Sequence, residues 1–445
     1  MRLLIKSFLI LLTLLTLETA VYAIDATRTT ADNGLTVLHL EKNNLPIVMV
    51  NLLIKASRLN EASEKSGLAY LTSEMLTEGT TTRSSKQISE DIEFMGAQLE
   101  TSVTPDFTTV SLAVLKKDLS KGFEIFSDVV LNPSFPEDEV LQKKEIVKGI
   151  IKQNEETPSY LANKAYIKEI YGDHPYGRTD EGSPETVDSI TAEDLSNFHK
   201  TFYNPNNSIL SVVGNITVEE LQNLVKQYFS NWQNNNINCT IVGNIYKESE
   251  NKIITINKNL TQANIIIGNK GIKRTDPDYY AFYVMNYILG GGGFASRLMQ
   301  TIRDEMGLAY DIQSVIFSYK QGGDFQIIVQ TKNEFANKVI HEITEMMKKI
   351  KNTPVKEQEL QDAKSYLTGS FPRRLDTMAN IANFLALTEF YGLGMDYDKN
   401  YIDIINAITI NDVKAAAEKY LDDKNYMLTI VGDTGKIKMS NPNKK

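Results

Sequence analysis

Metal-dependent chemistry needs imidazole, thiolate or carboxylate groups held close together. This chain of 445 residues carries four histidines and one cysteine. His39, His174, His199 and His341 are separated by 135, 25 and 142 residues, so none lies within a helical turn of another. Cys239 alone can build neither a disulfide framework nor a thiolate zinc cluster. Glu74 and Glu78 stand four apart, a spacing that puts two carboxylates on one face of a helix. A solvated face near a helix end is the simpler reading of that pair. The run Gly290-Gly291-Gly292-Gly293 reads by itself as a flexible loop that lets another backbone come close.

The elements that hold these residues come in two copies. Thr191-x-x-Asp194 is a capping box that opens a helix ending at Phe202-Tyr203. Asn207 then turns, and Leu210 to Val213 forms a strand closed by Gly214-Asn215. The same string recurs 218 residues later as Thr409-x-x-Asp412, Tyr420-Leu421, Asn425, Leu428 to Val431 and Gly432-Asp433. Threonine to glycine spans 23 residues in both copies. A second echo has an offset of 220: Glu139-Val140 and Lys144 match Glu359-Leu360 and Lys364, and Tyr171-Gly172 matches Tyr391-Gly392. The pattern predicts two similar halves, 24–233 and 241–445, joined by a polar linker over 234–240. Predicted strands are 35–39, 48–54, 98–102 and 108–114 in the first half. In the second they are 253–256, 264–267, 310–317 and 324–331. A helix over 217–232 closes the first half, with Trp232 as a packing residue at its edge. Alternating strands with several amphipathic helices indicate an α+β layer in each half.

The segment Ser66-Gly67-Leu68-Ala69-Tyr70-Leu71-Thr72-Ser73-Glu74-Met75-Leu76-Thr77-Glu78-Gly79-Thr80 resembles the zinc helix of the pitrilysin/insulinase family of metallopeptidases. That family reads G-L-A-H-F-L-E-H-M-L-F-x-G-T, and Gly67-Leu68-Ala69, Met75-Leu76 and Gly79-Thr80 stand in register. Its H-x-x-E-H motif supplies two zinc-binding histidines and a glutamate base. This chain has Tyr70, Ser73 and Glu74 in those places. The family's third ligand, a glutamate in a later helix, falls at Ile150 within Lys144-Glu145-Ile146-Val147-Lys148-Gly149-Ile150-Ile151. Every expected ligand and the base are therefore replaced, and no metal is expected on this chain. His174 lies in Asp173-His174-Pro175-Tyr176-Gly177, a loop string common in the family.

The second half keeps the family's other signature. Gly290 to Gly293 followed by Ser296-Arg297-Leu298, Ile302-Arg303 and Gly307-Leu308-Ala309-Tyr310 is similar to G-G-x-x-S-R-L-x-x-x-I-R-E-x-x-G-L-A-Y. The resemblance implies that Arg303 and Tyr310 face a zinc site across a closed chamber, holding substrate and stabilising the oxyanion. A guanidinium and a phenol can both donate to a developing negative oxygen where water is excluded. The bland alternatives are a helix charge paired with Asp304 or Glu305, and a strand-edge core aromatic. The resemblance also implies that Gly290, Gly291, Gly292 and Gly293 touch peptide, with an extended substrate adding to a sheet edge that the sequence does not identify. Arg297 is expected to anchor the start of its helix to the glycine loop.

Covering nearly the whole chain after the leader, the resemblance implies two α/β-roll domains related by a pseudo-twofold axis. Composition agrees with a globular protein: 42% hydrophobic, 23% charged, with 47 basic against 56 acidic side chains. A formal charge of −9 argues against a broad nucleic-acid footprint. Met1-Arg2-Leu3-Leu4-Ile5-Lys6 is a short basic start, and Ser7 to Leu17 is an apolar stretch far short of the ~20 residues that span a bilayer. Val21-Tyr22-Ala23 places small residues at −3 and −1. Residues 1–23 thus read as a cleaved secretory leader, with an uncleaved anchor as the alternative. The mature chain is expected to be exported and soluble, in a bacterial periplasm.

The zinc half is erased while the arginine–tyrosine half is kept. The resemblance implies that short chains of this kind work as two-subunit assemblies, and with it the asymmetry favours a non-catalytic subunit of an exported heterodimeric zinc metalloendopeptidase, inactive alone. Zinc would sit on a homologous partner subunit, and Arg303 and Tyr310 would complete that partner's active site. The alternative is a non-proteolytic peptide-binding or scaffold protein on the same fold, like the family's respiratory-complex core subunits. A third reading is an independent peptidase with unusual ligands. Asn215-Ile216-Thr217, Asn238-Cys239-Thr240 and Asn259-Leu260-Thr261 have glycosylation spacing, but Thr217 is better explained as a helix cap. The tail 436–445 reads as a frayed basic end.

Overall fold

The protein is described from a computed structural model that covers residues 24–234, 245–246 and 252–437. The leader, Cys239, nearly all of the 234–240 linker and most of the basic tail lie outside the described residues. The first half builds a six-stranded sheet from β1 (Thr27–Thr30), β2 (Thr36–Glu41), β3 (Ile47–Ile54), β4 (Gln98–Val103), β5 (Thr108–Leu115) and β6 (Ser208–Gly214), in the order β1-β2-β6-β3-β5-β4. The second half builds a five-stranded sheet from β7 (Lys252–Asn257), β8 (Gln262–Lys270), β9 (Ala309–Ser318), β10 (Gly323–Lys332) and β11 (Met427–Gly432), in the order β7-β11-β8-β10-β9. Leaving out β1, the two orders superpose strand for strand. The parallel pair β2–β6 also has its twin in β7–β11. The architecture is α+β in two domains.

Local signals explain most boundaries. The Thr191 hydroxyl accepts from the Asp194 amide at 3.1 Å, and the Thr191 amide donates to the Asp194 carboxylate at 2.8 Å. Thr409 and Asp412 repeat this at 3.2 and 2.8 Å. These boxes satisfy first-turn N–H groups that a helix cannot satisfy itself. The helix expected over 217–232 runs Val218–Phe229, with the Thr217 hydroxyl outside it as cap. Trp232 packs in the first core and donates its indole N–H to Tyr203 O at 3.1 Å.

The burial of the sheets is exchanged between halves. In β3, Val48, Val50, Leu52 and Ile54 point into a core made with the first half's own helices. Leu53 points the other way, with Ile209 and Val213 of β6, into the core of the second half. There the helix Met378–Tyr391 lies across β3 and β6. Reciprocally, the helix Pro158–Tyr171 lies across β8 and β11, burying Tyr166 and Ile170 with Ile266, Met427 and Val431. Central strands are covered on both faces, which is why β6 and β11 are continuously buried. Edge strand β4 alternates exposed and half-buried instead. The duplicated lysines do the same work in both halves. Lys144 Nζ donates to Asp188 O and Ile190 O at 2.8 and 2.9 Å, and Lys364 Nζ donates to Asn406 O at 2.8 Å.

Candidate functional site

The helix carrying the first candidate positions runs Leu68–Met75. It starts after Gly67 at φ +96°, where a Cβ would come within 2.6 Å of Glu181 O, so only glycine fits. Buried Glu61 accepts from the Gly67 and Ala69 amides at 3.1 and 3.0 Å and caps the helix from outside its own turn. Burial pushes the Glu61 carboxyl up to about 7, against the pull of those amides and of Arg178 and Arg58. Arg58 in turn pairs with Asp180 at 2.7 Å, tying the helix entrance to the 178–182 segment.

The helix stops at Met75, so Glu78 lies beyond it and the expected carboxylate pair does not share a helical face. What joins the two carboxylates is Lys143, whose ammonium is 2.7 Å from Glu78 and 3.7 Å from Glu74. The face is therefore ion-paired rather than merely solvated. Tyr70 is half-buried, and burial together with the charges of Glu74, Glu181 and Asp180 pushes its phenol up to about 12, so it stays neutral. Ser73 is buried, its hydroxyl without a hydrogen-bond partner among the described residues. Ile150 sits half-buried in the helix Glu137–Glu155. A zinc ion wants three imidazole, thiolate or carboxylate donors. A neutral phenol, a hydroxyl, an aliphatic chain and a carboxylate already facing an ammonium do not fit it. Among the described residues no group of three or more His, Cys, Asp or Glu is arranged to hold a metal.

The histidines are spent elsewhere. His39 Nε2 and His199 Nε2 bond the carbonyls of Ile216 and Val130, each at 2.8 Å. Burial pushes His199 down to about 4. His174 Nδ1 accepts from the Tyr176 amide at 3.1 Å and Nε2 lies 3.4 Å from Gln321 in the other half. His341 is exposed on the helix Ala336–Asn352.

In the second half the glycine run is not an open loop. Tyr287–Gly291 is wound as a π-helical turn, and Gly293–Ala295 as a short 3-10 turn. A Cβ on Gly290 would meet Ser314 Oγ at 2.5 Å and its amide at 2.7 Å, and one on Gly291 would meet Asn286 Nδ2 at 2.5 Å. Gly290 lets this turn pack under β9, and Gly291 lets it close onto Asn286. Gly293, at φ +57° with open space around it, and Gly291 are exposed, while Gly292 is half-buried. Arg297 does not anchor to the glycine turn: it forks onto Glu359 at 2.7 and 2.8 Å, and Ser296 Oγ holds Gly293 O at 2.7 Å.

Arg303 lies in a second π-helical segment, Met299–Glu305, a widened winding that recurs at functional positions. Its guanidinium centre is 4.6 Å from the Phe294 ring centroid and 5.5 Å from the Tyr310 centroid. Asp304 is 3.6 Å away, so the neighbour pairing is present as well. Tyr310 is 83% and Phe294 68% exposed, which overturns the reading of Tyr310 as a core aromatic. The connection is held by backbone: Gly307 N donates to Arg303 O at 3.0 Å and Leu308 N to Ile302 O at 2.9 Å. Tyr310 is the second residue of β9, the edge strand of its sheet. Two solvent-facing rings thus flank a cation at an open strand edge. Such a set can donate to a carbonyl or an oxyanion, but with strength only where a second surface excludes water. The structure does not join the two candidate groups: Tyr70, Ser73 and Glu74 belong to the first half, Arg303 and Tyr310 to the second. Sequence reasoning missed Lys143 and Phe294. The available hint for Phe294 was an aromatic ring directly after a glycine run, outside any apolar period.

Comparison with known proteins agrees with this geometry. Residues 36–182 match the family described as Insulinase (Peptidase family M16), and residues 189–367 match the one described as Peptidase M16 inactive domain. A Rickettsia felis protein called an uncharacterized zinc protease is 30% identical over 344 residues, covering 75% of this chain and 80% of that one. A Bacillus subtilis protein of like description is 25% identical over 415 residues, covering 92% and 99%. The crystal structure of a peptidase M16 inactive domain from Pseudomonas fluorescens superposes with a TM-score of 0.84 at 27% identity, over 92% of this chain and 98% of that one. With its two matched domains, its twin sheets and the residues that have replaced H-x-x-E-H, the chain belongs to the insulinase family, peptidase family M16, as a degenerate member.

Proposed function

We propose that this chain is the non-catalytic subunit of an exported two-subunit zinc metalloendopeptidase. A homologous subunit would carry the zinc. This one would close the chamber, bind peptide along β9, and bring Arg303 and Tyr310 to the partner's reacting carbonyl. The observation that carries the reading is the contrast between the two sites. Lys143 already supplies the positive charge beside Glu74 and Glu78, whereas Arg303, its side chain 28% exposed, lies between the solvent-facing rings of Phe294 and Tyr310 with the adjacent Asp304 at 3.6 Å, beyond hydrogen-bond distance. Exposed cation–π contacts contribute only ~0.5–1 kcal/mol, so folding alone gives little reason for this arrangement. Among the described residues no helix is long and apolar enough to cross a membrane.

Native mass spectrometry with metal analysis, on the protein purified gently from its own cells, tests the reading. The expected result is a complex near twice the mature mass, holding a second chain with H-x-x-E-H intact and one zinc. A zinc-free monomer or homodimer would favour a peptide-binding scaffold instead. Zinc on the isolated chain would overturn the loss of the site.

A further inference from the structure

Ile24 follows the Val21-Tyr22-Ala23 tripeptide, and the fold treats it as more than a linker residue. It is 8% exposed, with its side chain in the core of the second half. Its backbone nitrogen donates to Asp398 Oδ2 at 2.6 Å. Asp398 is 4% exposed, in the first turn of the helix Tyr397–Ala407. Two more contacts follow along the chain: Asp25 pairs with Lys399 at 3.2 Å, and Arg28 forks onto Glu389 at 3.0 and 2.8 Å. The entry to the first sheet is thereby pinned to the second half at three successive points.

Among the described residues no lysine, arginine or histidine pairs with Asp398. A buried carboxylate without a positive partner is strongly unfavourable, and the first turn of its own helix offsets part of the charge. A peptide N–H supplies a dipole there, whereas an α-ammonium would supply a full charge at the same atom. We propose that the chain is cut between Ala23 and Ile24, and that Asp398 receives the new α-ammonium as a buried ion pair locking the two halves together. Water adds across the Ala23–Ile24 bond, catalysed by a leader peptidase. Ala23 departs with the carboxylate, and the Ile24 nitrogen takes up a proton to become the ammonium. The proposal rests on the export part of the function proposed above and is independent of the peptidase part.

Three measurements on the full exported chain test it. Intact mass and N-terminal sequencing should find Ile24 first; a different first residue overturns the proposal. In particular, retention of residues 1–23 would favour the uncleaved anchor over a cleaved leader. An amine-selective acylating reagent near neutral pH should label Ile24 at least about tenfold more slowly in the folded wild type than in Asp398→Asn. Equal labelling with Ile24 first leaves export intact and overturns the ion pair. Asp398→Asn, and separately one glycine added ahead of Ile24, should each lower Tm by about 5 °C, and together by little more than either. Additive losses, or none from the added glycine, overturn the pair. The glycine variant keeps the test open if Asp398→Asn does not fold.

Discussion

The Tyr171 hydroxyl donates to the Asp324 carboxylate at 2.6 Å, across the junction between the two halves. The same contact recurs with the halves exchanged, from Tyr391 to Asp106 at 3.3 Å. Asp106 and Asp324 are 218 residues apart and the tyrosines 220, the offsets of the repeat itself. Each tyrosine ends the helix that lies across the other half's sheet. The duplication therefore built an interlock, in which each half supplies a helix, a phenol and a carboxylate to its twin. The rings beside the carboxylates join in, with Phe107 and Phe390 in edge contact at 5.1 Å and Tyr166 donating to Phe325 O at 3.1 Å.

Removing one phenol should be felt unequally. Tyr171→Phe leaves Asp324 with Gln326 at 2.8 Å as its remaining donor. Tyr391→Phe leaves Asp106 bonded to Tyr176 and to the Lys320 amide at 2.7 Å. Urea unfolding should show a loss of about 2–3 kcal/mol for the first and about 1 kcal/mol or less for the second. Equal losses would mean that the two contacts are energetically alike despite their different surroundings.

Asp324 also leaves a pH signature. Burial pushes its carboxyl up to about 6, against the hydrogen bonds from Tyr171 and Gln326. An unfolded aspartate titrates near 3.9. Between those values the folded chain holds a proton that the unfolded chain has released, so stability falls as pH rises through about 4 to 6. Asp324 accounts for up to about 3 kcal/mol of that fall. In Asp324→Asn this component should vanish when unfolding free energies at about pH 4 and pH 7 are compared with wild type.

Arg303 should matter to activity and not to folding. Its side chain is 28% exposed and its aromatic neighbours face solvent. With the zinc-bearing partner present, Arg303→Ala should cut kcat about 10²–10³-fold while the unfolding free energy stays within about 0.5 kcal/mol. Arg303→Lys should recover little, because a point charge cannot reproduce the planar fork. Full activity of the alanine variant would remove Arg303 from the shared site.

Lys143 should hold the erased zinc face together. Lys143→Met leaves Glu74 and Glu78 facing one another without a counter-charge and should cost about 1 kcal/mol. Adding Glu78→Gln should restore most of it. A double-mutant cycle read by thermal unfolding gives the coupling, which should be about 1 kcal/mol for the 2.7 Å pair. A coupling near zero would return the face to a solvated one.

Much of the scaffold was legible before any coordinates. The paired capping boxes and the strand alternation are short-range signals, each copy readable within a 23-residue string: a threonine oxygen reaches an amide three residues on, and a strand's faces alternate by geometry. So is the replacement of the zinc ligands, which needs only the residues at 70, 73, 74 and 150. Where the sequence reading went astray, the deciding partner was distant. Arg297 was expected at the glycine turn beside it and instead forks onto Glu359, 62 residues on. Gly290 reads as part of a flexible loop and is pinned beneath Ser314.

By itself, then, the amino-acid order determined the twin α+β halves, the loss of H-x-x-E-H and the survival of the arginine and tyrosine in the second half, because these are properties of neighbours along the chain. Only the tertiary structure decided that the helices Pro158–Tyr171 and Met378–Tyr391 trade sheets, that Lys143 stands between Glu74 and Glu78, and that Arg303 lies between Phe294 and Tyr310. Those depend on which apolar faces and which charges meet after the chain has folded back over hundreds of residues. Hydrophobic burial is non-directional, so an apolar stripe specifies that it must be covered without naming what covers it.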